Sequence, residues 1–149
     1  MKLRTFLLTF SLVLVMVSCK TYTIPVQSFK EQMQGITADS MKKVNVRMPL
    51  PLPGSSTKTT YFSNQIQTIR VVNKKGEAVN LANSPAIEMR VTLRNNKRYH
   101  FYFDTVILQN DTLIGGRSRF ATSLIRKIPM DSVVKIEVQD GGKKIEYTQ

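Results

Sequence analysis

Glu88-Met89-Arg90-Val91-Thr92-Leu93-Arg94-Asn95-Asn96-Lys97-Arg98-Tyr99-His100-Phe101-Tyr102-Phe103-Asp104 is the stretch whose pattern sets the fold class. Met89, Val91 and Leu93 alternate with Glu88, Arg90, Thr92 and Arg94, so a strand here has one apolar face and one charged face. Tyr99, Phe101 and Phe103 alternate with Arg98, His100, Tyr102 and Asp104 in the same way, and Asn95-Asn96 turns the chain between them. Parity then fixes the loop. A two-residue loop would set Val91 opposite His100 and Arg90 opposite Phe101, which mixes the faces. An odd loop aligns the two apolar sets, so the pattern predicts a three-residue hairpin with an asparagine in the left-handed region.

Outward from this hairpin the same period recurs. Lys43-Val44-Asn45-Val46-Arg47-Met48 reads as a strand ended by Pro49, Pro51 and Pro53, with a polar loop over 55–60. Residues 66–73 and 77–81 read as strands around a Lys74-Lys75-Gly76 turn, and Ala82-Asn83-Ser84-Pro85 turns again. Val106-Ile107-Leu108 and Leu113-Ile114 flank an Asn110-Asp111 turn, residues 117–127 are basic and irregular, and Ile128 to Ser132 form a turn. At the end, a two-residue Asp140-Gly141 turn would pair Ile136 with Ile145 and Val134 with Tyr147. That register sets Lys135 against Glu146 and Glu137 against Lys144, each pair contributing about 0.2–1 kcal/mol. Helical spacing occurs once, where Phe29, Met33 and Ile36 share a face behind a Ser28/Glu31 capping box and before Gly35. The expectation is an all-β fold: a small antiparallel barrel or sandwich of about seven to nine strands, with one short N-terminal helix.

The chain begins with basic Met1-Lys2-Leu3-Arg4 and an apolar run from Thr5 to Val17, broken by Thr9 and Ser11. That run is too short to span a bilayer as a helix, which takes roughly 20 apolar residues, and matches the layout of a secretory signal. Met16-Val17-Ser18-Cys19, which ends it, resembles the lipobox of bacterial lipoproteins, with Met16 in the place usually held by leucine. The resemblance covers the first 19 residues. It implies that the Cys19 sulfur receives a diacylglycerol, that cleavage precedes it, and that residues 1–18 are the signal peptide. Two or three acyl chains then anchor the protein stably, at about 0.8 kcal/mol per buried CH₂. Lys20 is not the aspartate that retains many such proteins at the inner membrane, and 20–23 carry no acid. The resemblance therefore implies an outer-membrane anchor facing the periplasm. Residues 20–24 show no period and read as tether, so the expected organisation is 19–42 tether and helix, then 43–149 a single β domain. From 66 onward the chain is similar to the small β domains of envelope lipoproteins, a likeness of patterning that implies no activity.

Of 149 residues 42% are hydrophobic and 21% charged, a globular composition, and Cys19 is the only cysteine. The β domain thus has neither disulfide nor thiol chemistry. The formal charge is +12, two units of which sit on Lys2 and Arg4. Such an excess favours anionic partners: lipid headgroups, lipopolysaccharide, acidic glycan, or an acidic face of an envelope protein complex. Nucleic acid is excluded by export. Arg117, Arg119, Arg126 and Lys127, with no acid among them, form the candidate anion-binding surface. His100, Tyr102 and Asp104 share the strand face away from the core and form a candidate ligand face. With one histidine and no thiolate in the β domain, neither a metal site nor a cofactor is expected, and no serine sits in a nucleophile elbow. The residues point to a non-catalytic envelope module that binds or braces another component. The alternative is a small hydrolase or lipid-handling protein using the His100/Tyr102/Asp104 face.

Overall fold

β-branched and aromatic residues recur in alternation along much of the chain, and the described residues form twelve strands and one α-helix. The computed structural model describes residues 20–116, 118–119 and 124–148; the leader, Cys19 and Arg117 lie outside them. In chain order the elements are β1 (Thr21–Ile24), α1 (Val26–Gln32), β2 (Lys42–Pro49), β3 (Ser56–Ser63), β4 (Thr68–Val72), β5 (Ala78–Ala82) and β6 (Ile87–Leu93). There follow β7 (Arg98–Tyr102), β8 (Ile107–Gln109), β9 (Thr112–Gly116), β10 (Ile125–Pro129), β11 (Val133–Asp140) and β12 (Glu146–Thr148). They make three antiparallel sheets ordered β5-β4-β1-β11-β6-β7, β10-β9-β8 and β12-β2-β3. The all-β class stands. None of the sheets closes into a barrel, and the strands outnumber the seven to nine expected.

The β6–β7 hairpin has the register that parity demands. Met89 faces Phe101, Val91 faces Tyr99, and the Leu93 amide donates to the Lys97 carbonyl at 2.9 Å across Arg94-Asn95-Asn96. Asn96 takes the left-handed conformation, φ 62°. Met89, Val91 and Phe101 are buried, while Glu88, Arg90 and His100 lie on the opposite face. Asn110 and Asp111 likewise both have positive φ, as a two-residue hairpin turn requires.

Four local expectations are corrected. Residues 20–24 are not an aperiodic tether: β1 lies between β4 and β11, with Tyr22 opposite Val138 and Ile24 opposite Ile136. The expected loop at 55–60 is β3, which pairs with β2 along its whole length. Its threonines suit a pleated surface without an apolar alternation to reveal it, and Thr60 donates to Asn45 across the pair at 2.8 Å. Part of the irregular basic stretch is β10, paired with β9. The terminal hairpin does not form, because both edges of β11 are taken by β1 and β6. Those neighbours set Ile24, Val91 and Met89 beside Ile136 and Val138, burying more apolar surface than Ile145 and Tyr147 offer. Glu137 consequently pairs with Arg90 and Lys135, at 2.8 Å each, rather than with Lys144. Residues 141–145 carry the chain away, and β12 joins β2.

One apolar cluster joins the six-stranded sheet, α1 and the β10-β9-β8 sheet. Phe29 and Met33 of the helical stripe are fully buried, and Phe29 meets Phe103 edge-on at 6.5 Å. The Ser28/Glu31 capping box is absent; Ser28 instead accepts from Gln32, and Pro25 precedes the helix. Where β9 crosses Phe101, only glycine fits. A Cβ on Gly115 would lie 2.8 Å from Phe101 Cδ1 and from Val106 Cγ1.

Candidate functional site

β7 ends at Tyr102 because Phe103 turns its ring into the core, and Phe103–Thr105 form a 3₁₀ turn. His100 and Tyr102 remain on the solvent face as the alternation predicts, but Asp104 does not join them. Its side chain is fully buried. A buried carboxylate needs compensation, and three donors supply it. The Arg119 guanidinium bonds Oδ1 at 2.9 Å, and the phenols of Tyr61 and Tyr147 both donate to Oδ2, Tyr147 at 3.0 Å. Arg119 also donates to the Pro85 carbonyl, and its guanidinium carbon lies over the Tyr102 ring, 3.7 Å from its centroid. Asn64 completes the joint. Its side chain donates to the carbonyls of Phe103 (2.8 Å) and Val106 (3.1 Å), and its backbone amide to that of Asp104 (2.7 Å).

This network ties β3 and β12 to the six-stranded sheet. Burial, and then the Asp104 charge, raise the Tyr61 phenol far above its ordinary value, and the same two causes push Tyr147 up to about 12. Both phenols therefore stay protonated at neutral pH. With its acceptors occupied and its tyrosines locked as donors, the cluster acts as a structural clamp.

The expected cations are consequently split. Arg119 is inside the clamp, its side chain 2% exposed, and is no part of an open basic surface. Lys127 is exposed on β10, and Arg117 lies outside the described residues. Arg126 goes elsewhere. Its guanidinium carbon sits 4.2 Å from the centroid of the Tyr99 ring, a cation–π contact. Together with Arg98, Tyr99 and His100 it lines an open cleft of about 280 Å³ beside the edge strand β7.

No carboxylate lines this cleft, and neither Arg98 nor Arg126 makes an ion pair among the described residues. Arg126 Nε is buried there without a hydrogen-bond partner. Two guanidiniums and an imidazole around one opening suit an anion of the phosphate, sulfate or carboxylate class. His100 and Arg126 belonged to different groups in the sequence, and the fold brings them together. Arg98 and Tyr99 were missed because on β7 they read only as alternation. Among the described residues no three His, Cys, Asp or Glu side chains converge to hold a metal ion. Comparison with protein-family models, curated proteins and solved structures gave no match to this chain.

Proposed function

We propose that this chain is a lipid-anchored, non-catalytic protein of the bacterial envelope whose β domain binds an anionic envelope component through the Arg98–Arg126 cleft. The anchor rests on the Met16-Val17-Ser18-Cys19 pattern, and the outer membrane, facing the periplasm, on Lys20 and the acid-free residues after it. One observation carries the binding reading: a cleft lined by Arg98, His100 and Arg126 against Tyr99, with no acid in it. The hydrolase alternative loses support, since Asp104 is saturated inside the clamp and cannot serve His100. Phosphate-bearing lipopolysaccharide or an acidic glycan matches the chemistry; an envelope protein would have to present a carboxylate there.

The test uses lipidated protein in phosphatidylcholine nanodiscs, titrated with lipopolysaccharide and, separately, with alginate. Replacing Arg98 and Arg126 by Ser removes two charged donors, so affinity for the preferred anion falls by about a hundredfold. Wild-type affinity also falls as salt rises. Equal binding by variant and wild type to both anions refutes the cleft assignment.

A further inference from the structure

β1 starts at Thr21, so the proposed lipid attachment at Cys19 stands only two residues from a central strand of the main sheet. Two residues of fully extended chain reach at most about 7 Å, so a lipid carried by the residue before Lys20 could be joined to the strand only by a very short link. An anchor this short leaves no free tether. It holds one end of the sheet at headgroup level.

The residues at that end have the matching charge. The β4–β5 turn comes alongside the start of β1, since Thr23 pairs with Val72, and an open groove of about 530 Å³ there is lined by Lys20, Lys74 and Lys75 over Tyr22 and Val79. All three lysines are exposed, and none makes an ion pair among the described residues. The carboxylates near this end are engaged locally. Glu77 accepts from Asn73 at 2.7 Å, Asp140 accepts from the Gly142 amide at 2.9 Å, and Glu88 is bound to Lys143. Of these acids only Glu88 is matched by a cation; Glu77 and Asp140 keep their charge beside neutral donors, so the three unpaired lysines leave this end with a small net positive charge.

We infer that Lys20, Lys74 and Lys75 form a membrane-docking end that seats the sheet on anionic phospholipid headgroups around the lipidated Cys19. This rests on the lipoprotein reading above and adds a fixed orientation to it. Each lysine held near an anionic surface multiplies the docking equilibrium by roughly fivefold, so removing three lowers it on the order of a hundredfold.

The experiment has two arms, both on the full lipidated chain. Labelled palmitate reports the anchor: uptake by wild type that is lost in Cys19→Ser supports it, and no uptake overturns both the lipoprotein reading and the docking inference. For docking, Ala78→Cys supplies the only free thiol once Cys19 is acylated, and it carries a fluorophore beside the turn. Protein is reconstituted into vesicles of phosphatidylcholine alone, or mixed with phosphatidylglycerol, each doped with a headgroup quencher. Docking adds quenching in the phosphatidylglycerol vesicles beyond the anchor-only level seen in phosphatidylcholine, and that increment is reversed by salt and lost in Lys20, Lys74 and Lys75→Ser. Lys127→Ser on β10 removes one charge outside the groove and leaves the quenching unchanged. Palmitate uptake combined with quenching that ignores phosphatidylglycerol, or with quenching that Lys127→Ser reduces as much as the triple change does, overturns the docking inference alone.

Discussion

Asp104→Asn removes one charge and almost no volume, so it isolates the electrostatics of the clamp. In the native protein the Asp104 and Arg119 side chains are 0% and 2% exposed, 2.9 Å apart. Neutralising the acid leaves a guanidinium buried with only the Pro85 carbonyl and the Tyr102 and Tyr61 rings to compensate it. Breaking a buried pair from one side costs about 3–5 kcal/mol. The two phenols would still find an acceptor, but a neutral one, so their bonds weaken rather than vanish. Against a total stability of about 5–15 kcal/mol this is a large fraction, and for a domain of this size it lowers Tm by roughly 10–20 °C. Urea melts followed by circular dichroism measure it directly. A companion variant, Asp104→Leu and Arg119→Met combined with Tyr61→Phe and Tyr147→Phe, removes both charges together with the hydroxyls that would lose their acceptor, and regains much of the loss because no orphaned ion or donor remains. A loss below about 1 kcal/mol in Asp104→Asn, with an unchanged denaturant slope, would falsify the assignment of the cluster as a clamp.

Gly115→Ala forces a methyl group against the Phe101 ring and Val106, and its cost is about 1–3 kcal/mol of overpacking, read from the same melts. Alkali weakens the clamp by linkage: with both phenols raised in the folded state, the unfolded chain loses protons first above pH 10, so stability falls as pH rises toward the folded value, about 12 for Tyr147. Tyr61, which is buried, adds up to about 1.4 kcal/mol per pH unit to that slope and the part-exposed Tyr147 less, and Tyr61→Phe flattens it; an unchanged slope contradicts the assignment. Glu137 acts at the other extreme. Burial alone would raise its carboxyl, but the hydrogen bonds from Lys135 and Arg90 hold it below the usual value, so its stabilisation is present at neutral pH and is lost as pH falls through the folded value. Glu137→Gln therefore melts with a shallower acid dependence than wild type.

Alternation was legible wherever one face of a strand is buried and the other solvated, as in β6 and β7, where parity also fixed the loop. It was illegible where that contrast is missing. β3 carries polar residues on both faces until Tyr61, and β1 has four residues, too few for a period to stand out. Pairing was harder than strand formation. β11 alternates well, but alternation does not say which strands take its two edges. The local hairpin offered charge pairs at short loop length; β1, from the other end of the chain, offered Tyr22 and Ile24 against Val138 and Ile136. Burial of apolar surface outweighs exposed charge pairs of a few tenths of a kcal/mol.

The candidate site shows the same limit. Asp104 was assigned to the solvent face by carrying the alternation one step past the point where Phe103 leaves the strand. A lone acid between Phe103 and Val106-Ile107 was the available sign of a buried carboxylate, and it implied a cation to match; Arg119 lies only fifteen residues away. With Arg119 committed to that charge, the binding reading moves to Arg126 and to the far end of β7. The register locates that end. Thr21, Gln139, Glu88 and Tyr102 form one row across the sheet, next to the proposed anchor, whereas Lys135, Thr92 and Arg98 form another at the opposite end of β7. Four residues at about 3.3 Å each separate Tyr102 from Arg98, so the cleft stands roughly 13 Å from the row nearest Cys19. That exceeds the Debye length of about 8 Å at physiological salt, so the two groups of cations are screened from one another. Lysines at one end can hold headgroups while arginines at the other hold a second anion. The proposed docking end and the proposed cleft would then sit at opposite ends of the six-stranded sheet, with Arg126 of β10 completing the cleft beside β7.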